Sequence, residues 1–392
     1  MRIARVLTRL NLGGPARQVL ASDPILKARG HDVIVFAGEP EPGEGDLSDE
    51  LRSSGVEVHR VPGLRRGLSA LFGDDGKARR HLGRALADWR PDVVHTHASK
   101  AGAIGRRAAR RSIPDVPTVH TFHGHVLEGY FPAPISFALR RLEAHLARST
   151  TQVLAVSEAT RADLGRLGVA QVEQIEVCQP GIQLDAFLRL PELTLPNIRE
   201  STPLRRSLSI PPSAPVVGVI GRLAPVKRTT LAVDVFAAVA KEFPDAHLLI
   251  AGDGAERERV EAKLRRLPES ISRRVSLLGA VQDVAPIHEA MDVLLSTSFT
   301  EGMPVAMIEA AAAGRPVIST AVGGVPELVQ NGVTGLLAVD RDGLAAAISG
   351  LFGGPEEAQG MGRRARERVQ ELHSAEALAT RLEETYGRWQ RE

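Results

Sequence analysis

Two carboxylates, Glu301 and Glu309, bracket the stretch Ser298-Phe-Thr-Glu301-Gly-Met-Pro-Val-Ala-Met-Ile-Glu309. The first belongs to a polar loop, Ser296 to Gly302, that follows the apolar run Met291-Asp-Val-Leu-Leu295. The second lies about two turns into a helix, because Val305 to Ala313 is rich in strong helix formers and Gly314 stops it before Arg315-Pro316. Eight residues at helical rise span roughly 12 Å, comparable with the ribose-to-hexose distance of a nucleotide-sugar. Carboxylates accept hydrogen bonds from hydroxyl groups, so the pair suits a ligand with sugars at both ends. Acids near the positive end of a surface helix would give the same pattern, and the pair alone does not separate the two.

Other chemistry-bearing residues cluster after apolar runs. Gly221-Arg222 through Lys227-Arg228 follows Val216–Ile220 and precedes a helix. Glycine leaves room for close approach, and two fixed cations beside a helix start make a diphosphate site. Asn11-Leu-Gly13-Gly14-Pro15 follows the first run and opens a helix, so its backbone amides could approach the reactive end of a ligand. His95, His97, His120, His123 and His125 fall at the ends of two neighbouring runs. H-x-H spacing can place imidazoles on one face, but no cysteine or carboxylate accompanies them and no metal site is expected. Lys100 could meet an anionic acceptor group or stand uncommitted on the surface. Asp340-Arg-Asp342 reads as a helix cap, not a metal motif. Gly360-Met-Gly362 lies inside a charged helical stretch, where a dinucleotide fingerprint does not belong. Gly324 of Gly323-Gly324-Val-Pro-Glu327 could allow close backbone approach, with Glu327 structural.

The runs that must position these residues alternate with helical patterns, as parallel sheets of βα units require. In the first half they are Ile3–Leu7, Asp32–Ala37, Val56–Val61, Asp92–Thr96, Pro117–Phe122, Thr151–Val156 and Ile175–Cys178. In the second they are Val216–Ile220, His247–Ala251, Val275–Leu278, Val293–Ser296, Pro316–Thr320 and Thr334–Ala338. Between them Pro191, Pro196, Pro203, Pro211 and Pro212 read as a connector. The expectation is an α/β protein with two doubly wound domains: residues 1–188, a linker 189–210, and residues 211–372. Ligands bind outside the carboxyl ends of such strands, where the candidate residues lie.

The Glu301–Glu309 segment resembles the E-x7-E signature of the retaining GT-B glycosyltransferases of family 4. Further fragments occur in the family's order: Asn11-Leu-Gly-Gly14, Val94-His-Thr-His97-Ala-Ser-Lys100-Ala-Gly102, His120-Thr-Phe-His123-Gly124-His125, Ala155-Val-Ser157-Glu158, Gly221-Arg222-Leu-Ala-Pro-Val-Lys227, Gly252-Asp-Gly254 and Gly323-Gly324-Val-Pro-Glu327. The resemblance implies two Rossmann-like domains facing across a cleft, acceptor on the first and donor on the second, with residues 373–392 packing back on the first. It implies that Arg222 and Lys227 hold the donor diphosphate and neutralise its charge in place of a metal. Glu301 would bind donor-sugar hydroxyls, Glu309 the ribose diol, and the amides of Gly302, Met303 and Val305 the sugar. His123 would lie near the anomeric carbon, with Gly13, Gly14 and Gly221 close to the donor. His97, Lys100 and His125 are the acceptor-side candidates, and His123, Arg222, Lys227 and Glu301 the catalytic ones. Pro304 has no N–H where many relatives carry glycine. Gln179-Pro180-Gly181-Ile182-Gln183 departs from the usual Asn-Gly-Ile-Asp, in the segment that shapes the crossing between domains.

The expected reaction moves a hexose or N-acetylhexosamine from a nucleoside-diphosphate sugar, UDP-linked in preference, to a hydroxyl of a lipid-linked, glycan or small-molecule acceptor. No side chain offers the nucleophile of a double displacement, so no covalent enzyme intermediate is expected, and the resemblance implies no cofactor. The alternatives are a nucleotide-sugar 2-epimerase on the same fold and a non-catalytic nucleotide-sugar-binding subunit. A dehydrogenase lacks a placed G-x-G-x-x-G.

Composition agrees with a two-domain globular chain: 392 residues, 43% apolar and 24% charged, bounds that fit soluble folded proteins. The N-terminus enters a strand directly and no apolar run is long enough to span a bilayer, so a cytoplasmic protein is expected. The lone Cys178 excludes an intrachain disulfide. Residues 1–188 hold 25 Lys and Arg against 21 Asp and Glu, with clusters at Arg65-Arg66, Lys77 to Arg80, Arg106 to Arg111 and Arg140-Arg141. Without interleaved aromatics they do not point to nucleic acid. They read as solvated helix faces or as a peripheral contact with anionic lipid at the inner membrane surface.

Overall fold

A computed structural model describes residues 1–41, 45–65, 74–124, 127–128, 131–193 and 201–389. The chain divides into two compact units: Met1–Gln183 with His373–Glu392, and Leu184–Leu372.

The first unit holds seven strands: β1 (Arg2–Arg9), β2 (Asp32–Gly38), β3 (Glu57–Arg60), β4 (Val93–His97), β5 (Thr118–Phe122), β6 (Gln152–Ala155) and β7 (Ile175–Val177). They pair in parallel in the order β3-β2-β1-β4-β5-β6-β7. The second unit holds six: β8 (Val216–Ile220), β9 (His247–Ala251), β10 (Val275–Gly279), β11 (Val293–Ser296), β12 (Val317–Thr320) and β13 (Gly335–Ala338). Their parallel order is β10-β9-β8-β11-β12-β13. Two doubly wound α/β sheets are thus present, and every strand lies within one or two residues of its sequence expectation. The strand order reverses between β1 and β4 in one sheet and between β8 and β11 in the other. Those switch points are where ligand crevices open.

Helices cover the sheets because the strands are apolar on both faces. In the first unit one face packs under Leu82, Leu86, Ile104 and Ala108. The other packs under Val19 and Leu26 of the helix Gly14–Ala28 and under Leu378, Leu382 and Tyr386 of the helix Ala375–Gly387. Full burial of a large apolar side chain contributes about 1.5–3 kcal/mol, so this last helix is part of the first unit's core. Gly181 lies against it: a Cβ there would stand 2.2 Å from the carbonyl oxygen of Ser374. Pro24, inside the helix Gly14–Ala28, cannot bond the carbonyl of Leu20, and Gln183 Nε2 donates to that oxygen instead at 3.4 Å.

Residues 201–210, expected as linker, are built into the second unit. Thr202 caps the short helix Pro203–Ser207 by accepting from Arg205 N–H at 3.2 Å. The buried Arg205 side chain donates to the carbonyls of Ala290, Pro211, Pro212 and Ala214 and to the Asp292 carboxylate. Proline density marks irregular backbone here, and the Arg205 guanidinium ties that backbone to the second unit. Among the described residues, no helix is long and apolar enough to cross a membrane.

Candidate functional site

The second unit's switch point is built from two loops. After β8, Gly221 takes φ +150°, and its carbonyl oxygen runs so close to Gly252 that a Cβ there would stand 1.9 Å from it. Leu223 N–H donates to the Asp253 carbonyl at 2.9 Å, so the Gly252-Asp-Gly254 turn braces this loop from behind. After β11, residues Thr297 to Gly302 form the second loop. Thr297 Oγ1 donates to the carbonyls of Lys227 and Arg228, both at 3.0 Å, and Phe299 N–H donates to the Val226 carbonyl at 2.9 Å. Arg228, with left-handed backbone at φ 47°, returns hydrogen bonds to the Thr297 and Ser298 carbonyls. The two loops are therefore one stitched body.

Stitching brings Lys227 to Glu301. Nζ lies 2.5 Å from Glu301 Oε1, and Ser298 Oγ donates to the same oxygen at 2.6 Å. A cavity of about 30 Å³ opens beside them, lined by Gly221, Lys227, Ser298, Glu301, Pro304 and Met307 among others. That volume accepts one water-sized group, such as a single hydroxyl. From the next strand's end, Gly323, at φ +51°, backs the loop: a Cβ there would stand 1.8 Å from the Glu301 carbonyl oxygen. The close approach falls at Gly323, one residue before the glycine expected to provide it. Gly324 N–H donates to the Glu301 carbonyl at 3.2 Å.

The remaining candidates in this unit are placed differently. Arg222 is exposed at the start of the first loop. Gly302 and Met303 lead into the helix Val305–Ala312, whose N-cap is Pro304. Glu309 is buried, its carboxylate 3.7 Å from Nε2 of the buried His288; Glu309 does not line the cavity that Glu301 does. Asp340 Oδ1 accepts from Gly343 N–H at 2.8 Å, the cap expected for the D-x-D segment.

In the first unit the histidines form a buried chain at the ends of β4 and β5. Arg5, on β1, sits between Asp23 at 3.4 Å, Tyr386 Oη and His95 Nδ1 at 2.8 Å. Because the guanidinium only donates, His95 carries its proton on Nε2 and gives it to Thr121 Oγ1 at 2.7 Å. Gln18 Nε2 donates to His123 Nδ1 at 3.4 Å, which places the His123 proton on Nε2, 2.9 Å from His97 Nδ1. His95 stacks on His97 with centroids 4.2 Å apart. Burial holds His95, His97 and His120 well below the ordinary imidazole range, and Arg5 or Arg106 nearby adds to the shift. Burial, with Arg5 second, takes His123 down to about 3. All four are neutral imidazoles at pH 7. His125 lies outside the described residues.

Lys100 pairs with Asp75 at 2.6 Å, each side chain about one-fifth exposed. Gly13 has ordinary extended φ (−81°) and its N–H donates to Asn11 Oδ1 at 3.3 Å, forming an Asx turn ahead of Gly14. Ser157 and Glu158 begin a helix that the Ser157 side chain caps through Thr160 N–H. Cys178 is buried, and burial pushes its thiol up to about 11. It is an inert core residue.

Ala98, immediately after His97, holds φ 58° and ψ 168°, a region nearly confined to glycine. Ala98→Gly should raise stability by about 1 kcal/mol, since relieved strain exceeds glycine's entropic cost. Urea unfolding would show a higher midpoint at unchanged slope; a lower midpoint would refute the strain.

The sequence assigns no role to Gln18, Asp23, Thr297 or Ser298. Arg5 carried a signal, a charge inside an apolar strand, which demands a buried partner.

Residues 12–186 match the family described as Glycosyltransferase Family 4, and residues 214–353 match Glycosyl transferases group 1. The chain is 29% identical over 344 residues to an Escherichia coli UDP-Gal:alpha-D-GlcNAc-diphosphoundecaprenol alpha-1,3-galactosyltransferase, covering 86% of this chain and 84% of the relative. It is 28% identical over 400 residues to a Mycobacterium tuberculosis glycogen synthase, covering 96% and 91%. Among solved structures it resembles Anabaena HepE in complex with UDP and glucose, with a TM-score of 0.80 at 21% identity over 99% of this chain and 100% of that one. The fold is that of the GT-B enzymes.

Proposed function

Since the chain belongs to glycosyltransferase family 4, we propose that it transfers a hexose or N-acetylhexosamine from a UDP-sugar, with retention of configuration, to a hydroxyl of a lipid-linked or glycan acceptor. The observation that carries this reading is Lys227 in contact with Glu301 on a stitched pair of loops at the β8–β11 switch point. A cation for a diphosphate and an acceptor for sugar hydroxyls stand side by side at a place built for ligands. The E. coli relative's name includes UDP-Gal and a diphosphoundecaprenol acceptor, and both support the choice of donor and acceptor class. A lipid-linked acceptor would bring the protein to the cytoplasmic face of a membrane.

The second unit takes the donor and the first the acceptor. Lys227 and Arg222 draw negative charge onto the diphosphate as the bond from the anomeric carbon to the phosphate oxygen breaks, which removes the need for a metal. The acceptor oxygen bonds to that carbon on the same face, and its proton passes to the departing phosphate. Gly302, Met303 and Val305 are the candidates to offer amides to the sugar, Glu309 is the candidate for the ribose, and Gly13 and Gly14 are the first unit's candidates for donor contact. On the first unit His123 is the candidate for the sugar's anomeric carbon, and His97 and Lys100 are the candidates for the acceptor.

A thermal-shift panel of UDP, GDP, ADP and dTDP and their sugars, with and without EDTA, tests the reading. A ligand at one hundred times its Kd adds about 2.7 kcal/mol to the folded state. The expected result is a shift by the uridine series that EDTA leaves intact. No shift by any nucleotide would end the donor-site assignment, and loss of the shift in EDTA would end its metal independence.

A further inference from the structure

Both Lys227 and Ser298 bind the same oxygen of Glu301, Oε1. Among the described residues, Oε2 has no hydrogen-bond partner, and the carboxylate borders the cavity. Lys227 is the exposed partner: its side chain is 31% exposed, and its ammonium is carried on a long stem of rotatable bonds. Ser298 is a fixed one. It is 1% exposed, its carbonyl accepts from Thr320 Oγ1 at 2.5 Å and from Arg228, and its hydroxyl lies 3.3 Å from Ser296 Oγ. An arriving diphosphate, with more negative charge than one carboxylate, would draw Lys227 away from Glu301. Glu301 would then keep its place only through Ser298.

Resting on the donor-site reading above, we infer that Ser298 is a positioning residue for Glu301. It holds Oε1 so that Oε2 faces the sugar while Lys227 is occupied by the diphosphate. Lys227 and Glu301 thus exchange partners when the donor binds, and Ser298 makes that exchange productive. Two signs follow. Ser298→Ala should spare the diphosphate and harm the sugar, and Glu301→Ala should tighten the bare diphosphate by releasing Lys227.

Calorimetric titration of the full chain with UDP, UDP-galactose, UDP-glucose and UDP-N-acetylglucosamine reads both. For Ser298→Ala, UDP affinity is expected within twofold of the unmodified chain. The ratio of UDP-sugar Kd to UDP Kd should rise about tenfold, as loss of a hydrogen bond to a charged group implies. For Glu301→Ala, UDP should bind severalfold tighter, and adding Ser298→Ala should leave the ratio where Glu301→Ala put it, because the serine acts through the carboxylate. Ser298→Cys, near-isosteric with a weak donor, gives the same reading if the alanine variant does not fold, with a smaller rise. An equal loss of UDP and UDP-sugar binding, an unchanged ratio, or independent effects of the two substitutions would each overturn the inference. Failure of the unmodified chain to bind UDP or any UDP-sugar would instead strike the donor-site reading.

Discussion

Lys227→Ala should lower kcat by on the order of a hundredfold to a thousandfold, the cost of removing one preorganised group that stabilises developing charge. The proposed mechanism places the positive charge of Lys227 beside a leaving diphosphate, at the edge of a small cavity whose lining includes Leu294, Leu295 and Met307. Stability should change little, because the Lys227–Glu301 pair is partly exposed and an ion pair so screened contributes less than about 1 kcal/mol. Arg222→Ala should also slow turnover. Initial rates under saturating donor, with the sugar nucleotide that shifts the unmodified chain, decide the matter. Near-normal turnover in both variants would remove the leaving-group mechanism.

The first unit should lose stability steeply as pH falls below about 6.5, the unfolded imidazole value. The sign follows from linkage. His95, His97, His120 and His123 are held low in the fold, so between pH 6.5 and their folded values the unfolded chain binds more protons. Stability from each is fully present above 6.5 and is lost at up to about 1.4 kcal/mol per pH unit on acidification. The losses continue toward about 3 for His123. Both tryptophans, Trp89 and Trp389, belong to the first unit, so intrinsic fluorescence reports its unfolding. The fluorescence melting temperature should drop by many degrees from pH 7 to pH 5. A flat profile would mean that these imidazoles are not held neutral.

Much of the fold is legible in the sequence. Thirteen strands could be read because buried parallel strands are unbroken apolar runs ended by glycine and polar loops. Lys227 and Glu301, which the structure brings together, stand out in the sequence because they follow such runs. Contacts across great sequence distance stayed hidden. His95 Nδ1 meets Tyr386 Oη at 2.6 Å across 291 positions, and no local pattern encodes such a meeting. Ser298 was quoted with the Glu301 segment, yet a serine in a polar loop has many uses and only the distance to Oε1 selects one. Glu309 shows the limit of spacing arguments. Helical rise fixes how far it lies from Glu301 along the axis but not which way its carboxylate turns, and here it turns toward His288.

The helix Ala375–Gly387 completes the first unit's core, while Leu184–Leu372 forms the second unit from one unbroken stretch. Synthesis from the N-terminus therefore reverses the usual order in which domains mature. When Leu372 has been made, the second unit has all its residues. The first, although its strands were made earlier, still lacks Leu378, Leu382 and Tyr386. Until they arrive, the apolar face that they cover stands open and Arg5 and His95 lack their phenol partner. The half of the chain made first is the half that waits, and it is the half on which a nascent-chain chaperone would have most to hold.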